Sequence, residues 1–450
     1  MTKNDNIITL SPTALTAITV LEHAGFEAWC VGGSVRDHFI QRENVDIDIA
    51  SAALWQEATS VFEAAGYRVR ETGTKHGTIT VIIDGHAVEV TTYRVDGSYT
   101  DARHPDSVEF VRDIHADLDR RDFTVNAMAY HPERGLLDPH GGRLDCATKT
   151  LRAVGDPATR FKEDALRILR ACRFSSQLDF TIEPTTLRAM EVHANLINSV
   201  AAERLTHELT EFICGPSIHD ALLTCVNVLV PLMPELATMN NFDQRTPYHI
   251  YDVLEHTAYV MQNTPPYPLV RWAALFHDMG KPRAFFVDDA GIGHFYGHAK
   301  ISVELALPIL KRLKISRPMI EEITLLVTYH DDVIEPNPKA IKRMLRRLND
   351  SVSLFKAMCD LKRGDALAQA PHCHGRVTLA DDLETMLNTL IEANEAFSLK
   401  DLAINGNDLI ALGISPGPKI GALLEAALNA VIDERVENEH DALLLFLQKQ

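Results

Sequence analysis

The first third of the chain alternates between helical and strand patterns of hydrophobic residues. Apolar residues recur at helical spacing near 12–25, 34–41 and 53–65, and short apolar runs at 28–31 and 45–50 predict strands. The stretch ITVIIDGHAVEVTTYR predicts two strands joined at Asp84-Gly85, a dipeptide typical of tight hairpins. From about residue 155 onward the patterns are helical. We therefore expect an α+β protein whose sheet lies in its N-terminal part.

Two aspartates, Asp46 and Asp48, lie two residues apart in one of these predicted strands. Because strand side chains alternate between faces, both would project from one face while Ile47 and Ile49 point into the core. Adjacent carboxylates repel each other, and a divalent cation such as Mg²⁺ relieves that repulsion through oxygen ligands. The spacing alone leaves an exposed strand end as the alternative, since a lone D-x-D is common there.

A glycine pair, Gly32-Gly33, precedes these aspartates and would let backbone N–H groups approach a phosphate closely. Together, the two motifs in one strand–turn–helix–strand unit predict nucleotidyl transfer by two metal ions. One ion would activate a 3′ hydroxyl and the other would stabilise the departing pyrophosphate. Glu89, on the second hairpin strand, is a candidate third carboxylate, although an exposed strand glutamate fits the pattern nearly as well.

Composition narrows the class of protein. The chain has 450 residues, of which 46% are hydrophobic and 24% charged, as in an ordinary globular protein of two to four domains. We expect a cytoplasmic location and no membrane span, because the chain shows neither a secretion signal nor an apolar run of about 18 residues. Seven scattered cysteines without C-x-x-C spacing argue against a disulfide scaffold.

The net charge of −18 is unfavourable for nucleic-acid binding, but basic residues cluster at 149–173 and 339–347, where RNA could bind.

Three longer motifs point to a known family. GGSVRD…DIDIA, RRDFTVNAMAY and FKEDALRILRACRF, in this order, resemble those of class II CCA-adding tRNA nucleotidyltransferases and bacterial poly(A) polymerases. The resemblance covers about the first 215 residues. It implies a polymerase-β-like nucleotidyltransferase head, built from a mixed sheet with helices, in which Asp46 and Asp48 are the catalytic Mg²⁺ ligands.

The same resemblance implies which residues bind the nucleotide. In the neck motif E-D-x-x-R, Asp164 and Arg167 would share a helix face and bind the Watson–Crick edge of CTP or ATP, because a carboxylate accepts and a guanidinium donates. An ordinary salt bridge within the helix is the alternative. Arg204 matches a motif that braces the neck. The other residues expected to bind nucleotide are Gly32, Gly33, Arg36, Arg120, Arg121, Asp122 and Arg170, of which Arg120, Arg121 and Asp122 match the ribose-contacting motif.

Three activities occur in this family: complete CCA addition, partial addition and poly(A) synthesis. The segment 99–118, which contains Arg103, resembles the flexible loop that complete CCA synthesis requires. The acidic and apolar C-terminal stretch is unlike the basic extension of the poly(A) polymerases. We therefore predict transfer of CMP, CMP and AMP from CTP and ATP to the 3′ hydroxyl of tRNA, bound at its acceptor stem and 3′ end, with no DNA partner. Poly(A) polymerase activity is the alternative.

Histidines and aspartates recur between residues 249 and 365. Adjacent His277 and Asp278 on an apolar helix are unusual, because burying such groups is costly unless they are paired or metal-bound. With His256 before and Asp365 after, the region resembles the HD superfamily of metal-dependent phosphohydrolases. That resemblance implies the metal ligands His256, His277, Asp278 and Asp365, with His298 and His330 completing a second metal position that Asp278 bridges.

Imidazole and carboxylate ligands together suit Mn²⁺, Ni²⁺, Fe or Zn²⁺. The implied activity is phosphoester hydrolysis, as a 2′,3′-cyclic phosphodiesterase or a phosphatase. Two alternatives remain: the region only holds tRNA, or the protein is an HD phosphohydrolase whose head merely binds nucleotide or RNA. The expected domains are the head at 1–150, a helical neck with the nucleotide-selecting helix at 151–240, an HD-type helical metal domain at 241–375 and a helical RNA-binding tail at 376–450.

Overall fold

A computed structural model describes residues 8–43, 46–96 and 108–449. The chain divides into two compact units, Met1–Ser217 with Thr224–Leu232 and Ile218–Leu223 with Met233–Gln450. A mixed sheet lies in the first unit and the rest is almost entirely helical, so the predicted α+β class is confirmed.

The first unit contains the sheet, the helices that cover it and a helical segment that follows. Its elements in chain order are α1 (Pro12–His23), β1 (Ala28–Val31), α2 (Gly33–Phe39), β2 (Ile47–Ser51), α3 (Trp55–Ala64), β3 (Arg68–Gly73), β4 (Thr78–Ile83), β5 (His86–Thr92), β6 (Arg94–Asp96), β7 (Val108–Phe110), α4 (Ile114–Asp119), β8 (Ala129–His131), β9 (Gly135–Leu137), α5 (Gly142–Ala147), β10 (Thr150–Leu151), α6 (Pro157–Glu163), α7 (Leu166–Leu178), β11 (Thr181–Ile182), α8 (Pro184–His193) and α9 (Ala202–Ile213). The next helix, α10 (Ile218–Leu229), contributes residues to both units.

Seven strands form the sheet in the order β3-β4-β5-β2-β1-β8-β9. Only β2 and β5 run parallel, and they bring Asp48 directly beside Glu89. The predicted helices and strands before residue 93 are all present within a few residues of their expected bounds. One detail was wrong: β2 begins at Ile47, so Asp46 lies one residue before the strand rather than within it, and Ile47 is only half-buried.

Local sequence explains these elements. The hydroxyl of Ser11 accepts a hydrogen bond from the backbone N–H of Ala14, and Pro12 occupies the first turn of α1, where no N–H is needed. In the hairpin, Asp84 and Gly85 have φ angles of 50° and 82°, the left-handed conformation that a two-residue turn between β4 and β5 requires. The predicted hairpin is therefore confirmed.

Close packing of α7 against α9 positions residues that later line the functional site. The Ser176 hydroxyl on α7 donates to the carbonyl oxygen of Phe212 on α9 at 2.8 Å. A Cβ atom at Gly215 would lie 2.0 Å from the Ser176 Oγ, so only glycine permits this approach just after α9. The two helices are thereby fixed at the short separation that lets Arg204 on α9 reach the start of α7.

The second unit is helical apart from one short hairpin. Its further elements are α11 (Glu235–Met239), α12 (Val253–Asn263), α13 (Pro268–Phe276), α14 (Lys281–Ala284), β12 (Phe286–Val287), β13 (Gly293–His294), α15 (His298–Arg312), α16 (Arg317–Tyr329), α17 (Pro338–Arg347), α18 (Val352–Ala368), α19 (Gly375–Glu392), α20 (Gly406–Ala411), α21 (Pro418–Ile432) and α22 (His440–Gln448). Within the described ranges, no helix is both long and apolar enough to cross a membrane. All seven cysteines are free thiols.

Candidate active site

The glycine turn after β1 faces the part of the sheet where Asp46, Asp48 and Glu89 lie, here called its acidic edge. Gly32 has a φ angle of 66°, and a Cβ atom there would lie 3.0 Å from the Arg121 guanidinium, so a side chain would collide with the arginine. Ser34, in the first turn of α2, donates a hydrogen bond to the carbonyl oxygen of Asp46 at 2.8 Å. The turn and the residues just before β2 are thus held together by this serine.

Asp48 lies in a partly buried, acidic environment. Burial, together with the charges of Glu89 and Asp46, raises the pKa of this carboxyl group to about 6, although Arg121 and Arg36 oppose the shift. Three carboxylates are therefore grouped at one edge of the sheet, as expected for a site that binds a divalent cation.

A buried carboxylate, Asp117, holds the two adjacent arginines. Its Oδ1 lies 2.7 Å from Arg120 and its Oδ2 lies 3.0 Å from Arg121. Burial opposes ionisation of Asp117, but the two arginines outweigh that effect and lower its pKa. Both guanidinium groups are consequently fixed in orientation, which suits them to bind phosphate oxygens.

Asp122 is surrounded by protein donors. Its Oδ1 accepts from the backbone N–H of Phe123 at 2.8 Å and from the Asn126 amide at 3.1 Å, and its Oδ2 accepts from the Nε and Nη2 atoms of Arg170 at 2.8 and 2.7 Å. Burial opposes ionisation, but Arg170 and Asn126 lower the pKa of Asp122 to about 2. A carboxylate has about four acceptor sites, so a ribose hydroxyl would have to displace one of these bonds. Asp122 is therefore better suited to position Arg170 than to contact the ribose, the role expected from the sequence.

Asp164 does not share a helix with Arg167, and the expectation of a common helix face was wrong. Helix α6 ends at Glu163, Asp164 is extended, and α7 begins at Leu166. The Asp164 carboxylate instead caps α7 by accepting from the backbone N–H of Leu166 at 3.0 Å, and its other oxygen lies 3.1 Å from Arg204.

The guanidinium of Arg167 is also held in place by its neighbours. It lies 2.7 Å from Glu163 and donates to the carbonyl oxygen of Arg120 at 2.8 Å. This second bond joins the start of α7 to the arginine pair after α4. The candidate base-selecting residues and the candidate phosphate-binding residues thus share one framework.

Sequence patterns did not single out three residues of this framework. Phe174 lies under the guanidinium groups of Arg36, Arg170 and Arg173, at 5.4, 5.3 and 4.6 Å from its ring centroid. Asn126 links Asp122 to Arg36, which donates to its side-chain oxygen at 2.6 Å. Asp117 is the third. Its position four residues before Arg121 and three before Arg120, the spacing of helical ion pairs, was the one available signal.

These groups line one cavity of about 800 Å³. All nine residues expected to bind nucleotide line it, as do Asp48 and Glu89, whereas Asp46 is exposed and lies outside the described lining. Residues 99–107, with Arg103, lie outside the described part of the chain. In the described lining, four carboxylates face eight arginines, which are Arg36, Arg94, Arg120, Arg121, Arg167, Arg170, Arg173 and Arg204.

Known proteins match the chain over nearly its whole length. It is 32% identical over 444 residues to a CCA-adding enzyme of Pediococcus pentosaceus, with 97% of each chain covered. It is 33% identical over 440 residues to a CCA-adding enzyme of Anoxybacillus flavithermus, with 96% of this chain and 95% of the relative covered. The chain belongs to the family of CCA-adding enzymes. The sequence prediction of a tRNA nucleotidyltransferase is thereby confirmed.

Structural comparison agrees with this assignment. The structure of the Bacillus stearothermophilus CCA-adding enzyme in complex with CTP is similar over 98% of both chains, with 28% identity and a TM-score of 0.75. The Thermotoga maritima CCA-adding enzyme complexed with tRNA shares the fold, with 22% identity, a TM-score of 0.57 and coverage of 98% and 96%. Family profiles match as well: "Poly A polymerase head domain" at residues 28–152, "Probable RNA and SrmB- binding site of polymerase A" at 179–239, and a tRNA nucleotidyltransferase domain 2 at 294–447. CCA-adding enzymes depend on divalent metal ions.

The second unit of this CCA-adding enzyme family member contains a buried imidazole–carboxylate cluster. Asp278 is its centre: its Oδ2 lies 3.3 Å from His256 and 3.1 Å from His277, and its Oδ1 lies 3.2 Å from His298 and 3.7 Å from His330. Asp365 approaches His256 at 3.1 Å. The structure thus brings together all six residues expected from the sequence, which are His256, His277, Asp278, His298, His330 and Asp365.

The orientation of the four rings indicates a metal site. Each Nδ1 lies near a backbone carbonyl oxygen, of Ala368, Ala274, Phe295 and Val327, at 3.3, 2.7, 2.9 and 2.7 Å. Because a carbonyl oxygen can only accept, each Nδ1 donates, and the Nε2 atom of each ring points to the cluster. The Nε2 atoms of His298 and His330 are 3.1 Å apart, and the nearest Nε2 atoms lie 3.1–3.3 Å from the oxygens of Asp278. A divalent cation can bind such nitrogen and oxygen atoms together, so this arrangement suits a metal ion.

The basic stretch at 339–347 forms helix α17, but its charges are paired with acids of the same unit. Lys339 and Arg343 lie 2.9 and 2.8 Å from Asp433, and Arg346 lies 2.7 Å from Glu425. This helix face therefore serves internal ion pairing, which makes it less suited to RNA binding than the sequence indicated.

The raised pKa of Asp48 gives a pH-dependent prediction for metal-free protein. In the folded state the carboxyl group keeps its proton to about pH 6, above the value of an unfolded chain, so ionisation destabilises the fold as the pH rises. Asp48→Asn removes this effect. We expect its melting temperature in EDTA to exceed that of the unsubstituted protein by an amount that grows from about pH 4 to pH 6 and then levels off.

The control is Asp84→Asn, the same chemical change in the exposed hairpin turn. It should show no such pH-dependent difference. Added Mg²⁺ should raise the melting temperature of the unsubstituted protein at about pH 8 and have little effect on Asp48→Asn. An equal difference at all pH values would contradict the acidic environment assigned to Asp48.

Proposed function

We propose that the cavity transfers CMP, CMP and then AMP from CTP and ATP to the 3′ hydroxyl of tRNA. The observation that carries this proposal is the pairing of an acidic sheet edge, Asp48 with Glu89, with a wall of oriented arginines in one cavity. Acids suit metal ions, and fixed arginines suit a triphosphate. A relative solved with CTP supports the choice of nucleotide, and one solved with tRNA supports the choice of acceptor.

Asp46, Asp48 and Glu89 would hold Mg²⁺. The donor set fits, because all three offer carboxylate oxygens, and burial together with their mutual repulsion raises the pKa of Asp48. When bound, Mg²⁺ would supply activation of the 3′ hydroxyl and stabilisation of the leaving pyrophosphate. Arg120 and Arg121, fixed by Asp117, would bind the triphosphate oxygens.

Asp164 and Arg167 would select the base. Cytosine and adenine both present an exocyclic amino donor beside a ring nitrogen acceptor, whereas uracil and guanine present a carbonyl acceptor in that place. A carboxylate acceptor beside a guanidinium donor is complementary to the first pair and repels the second. Arg204 and Glu163 support this proposal, because they fix Asp164 and Arg167 at the junction of two helices.

The loss of a carboxylate at the sheet edge tests the proposed chemistry. Asp48→Asn should reduce incorporation of CMP and AMP into tRNA lacking its CCA end by at least about 100-fold, because charge stabilisation of the transition state is lost. Sequencing of the 3′ ends formed with mixed CTP and ATP is the measurement, and Asp84→Asn is the matched control. Addition of CC alone, or of long runs of A by the unsubstituted protein, would overturn the proposal of complete CCA synthesis.

Base selection is tested with Asp164→Asn. The amide keeps an oxygen that can cap α7 but adds donors, so it can pair with uracil or guanine as well. We expect kcat/KM for CTP to fall about 10- to 100-fold while incorporation of UMP or GMP becomes measurable. Asp84→Asn, the same chemical change at an exposed residue that does not line the cavity, is the control. Unchanged selectivity in Asp164→Asn would remove Asp164 from base recognition.

We also propose that the cluster around Asp278 is a metal-dependent phosphohydrolase site. The Nε2 atoms of four imidazoles surround one carboxylate, which supports two adjacent metal positions: His256, His277, Asp278 and Asp365 at one, and His298, His330 and Asp278 at the other. Mixed imidazole and carboxylate donors suit Mn²⁺, Ni²⁺, Fe or Zn²⁺. When bound, such ions would supply an activated water for hydrolysis of a phosphoester.

His277→Ala separates the two activities. It should abolish Mn²⁺- or Ni²⁺-dependent hydrolysis of 2′,3′-cyclic AMP and lower the amount of bound metal, measured by inductively coupled plasma analysis. His440→Ala, an exposed histidine on α22, is the control. CCA addition should change less than about twofold in both folded variants, because neither residue lines the nucleotide cavity. Loss of CCA addition in folded His277→Ala would show that this division of labour is wrong.

A further inference from the structure

The short hairpin β12–β13 presents aromatic rings to solvent beside the imidazole–carboxylate cluster. Tyr296 has 76% of its surface exposed and Phe286 has 46%, a large exposure for such rings. The ring of His294 packs against both: its centroid is 5.2 Å from that of Phe286 and 5.5 Å from that of Tyr296, with interplanar angles of 25° and 19°. The Phe286 and Tyr296 centroids are 5.6 Å apart, and their rings are tilted by 43°. The three rings, here called the aromatic platform, thus form a compact triangle.

The platform is held rigidly. The His294 ring bonds through Nε2 to Asp288 at 2.7 Å, and the other oxygen of Asp288 accepts from the backbone N–H groups of Ala290 and Ile292 at 2.9 Å each. The backbone N–H of Gly293 donates to the carbonyl oxygen of Arg245 at 2.9 Å, which fixes the hairpin to the preceding segment. A pre-ordered surface of this kind binds a flat ligand without a large loss of side-chain entropy.

The platform is joined directly to the cluster through Phe295. Its carbonyl oxygen accepts from Nδ1 of His298, a proposed metal ligand, at 2.9 Å. Its ring lies 5.3 Å from Nζ of Lys281, and that ammonium lies 2.6 Å from Asp278. Residues 294–298 therefore carry two of the three platform rings and a side chain of the cluster, so the platform adjoins the segment that supplies a proposed metal ligand.

We propose that the aromatic platform stacks the terminal base of an unpaired RNA strand and presents its terminal phosphoester to the cluster. Flat aromatic faces bind bases of any sequence by stacking. The adjoining cluster has the donor set for phosphoester hydrolysis, and the family acts on tRNA, whose CCA end is unpaired. This inference rests on the phosphohydrolase function proposed above and adds its substrate class: nucleotide phosphoesters, in preference to phosphoesters without a base.

The test compares two five-membered cyclic phosphates, 2′,3′-cyclic AMP and glycerol 1,2-cyclic phosphate, of which only the nucleotide carries a base on a furanose ring. In the full-length protein carrying Phe286→Ala and Tyr296→Ala, we expect the ratio of kcat/KM for the nucleotide to that for the glycerol ester to fall roughly 5- to 150-fold. The protein carrying Phe286→Trp and Tyr296→Trp should keep the ratio, because tryptophan retains an aromatic face at both positions. Leu445→Ala, an exposed apolar residue on α22, is the control. An unchanged ratio in the double alanine variant overturns the proposal.

A binding measurement separates failure of the platform from failure of the phosphohydrolase proposal. The probe is a trinucleotide with 2-aminopurine at its 3′ end and a terminal 2′,3′-cyclic phosphate, which cannot act as a primer for nucleotide addition. Stacking should quench its fluorescence, and the Kd should rise at least about fivefold in the double alanine variant. If the unsubstituted protein hydrolyses neither ester, the phosphohydrolase proposal fails and this titration alone decides the platform. Equal Kd values for the unsubstituted protein and the double alanine variant overturn the proposed base stacking. The same holds if the two proteins differ only in oligomeric state, measured by sedimentation.

Discussion

The ion pair between the buried carboxylate of Asp122 and the partly exposed guanidinium of Arg170 determines the geometry of the nucleotide cavity. Asp122 follows the arginine pair, and Arg170 lies on α7, one turn after Arg167. Removal of Arg170 would destabilise the fold, because the Asp122 charge would stay buried without its main partner. The same carboxylate reaches Arg36 through Asn126. One aspartate therefore fixes the separation between the glycine turn, where phosphates would bind, and the helix junction, where the base would be read.

The charge of the whole chain gives a misleading picture of what it can bind. The net charge is −18, yet the described cavity lining has twice as many arginines as carboxylates. Acids behind the lining, Asp117 and Glu163 among them, orient those arginines through ion pairs. Helix α17 shows the opposite case, where a basic sequence is neutralised by acids distant along the chain. Only the folded arrangement distinguishes an anion-binding wall from an internal ion network.

Sequence patterns predicted the sheet, the acidic edge and the six cluster residues, because each depends on local periodicity or on a spaced motif. Asn126 and Phe174 were missed because a single polar or aromatic residue in an apolar stretch reads as ordinary core. The break at Asp164 was missed because neither glycine nor proline marks it; a side-chain cap and the partner Arg204, forty residues later, produce it. The aromatic platform had no signal, since exposure of Phe286 and Tyr296 depends on a two-residue strand pair.

The two proposed chemistries are complementary at the level of the RNA end. Nucleotidyl transfer needs a free 3′ hydroxyl, and an RNA ending in a cyclic or 3′ phosphate has none. Two hydrolyses at the imidazole–carboxylate cluster would convert such an end into a substrate for the cavity: water opens the cyclic phosphate to a monoester, and a second water releases inorganic phosphate. The donor sets also keep the reactions apart, because carboxylate oxygens around Asp48 favour Mg²⁺ whereas the four imidazoles around Asp278 favour transition metals. Metal supply could therefore regulate end repair separately from CCA synthesis, although both act on the same substrate.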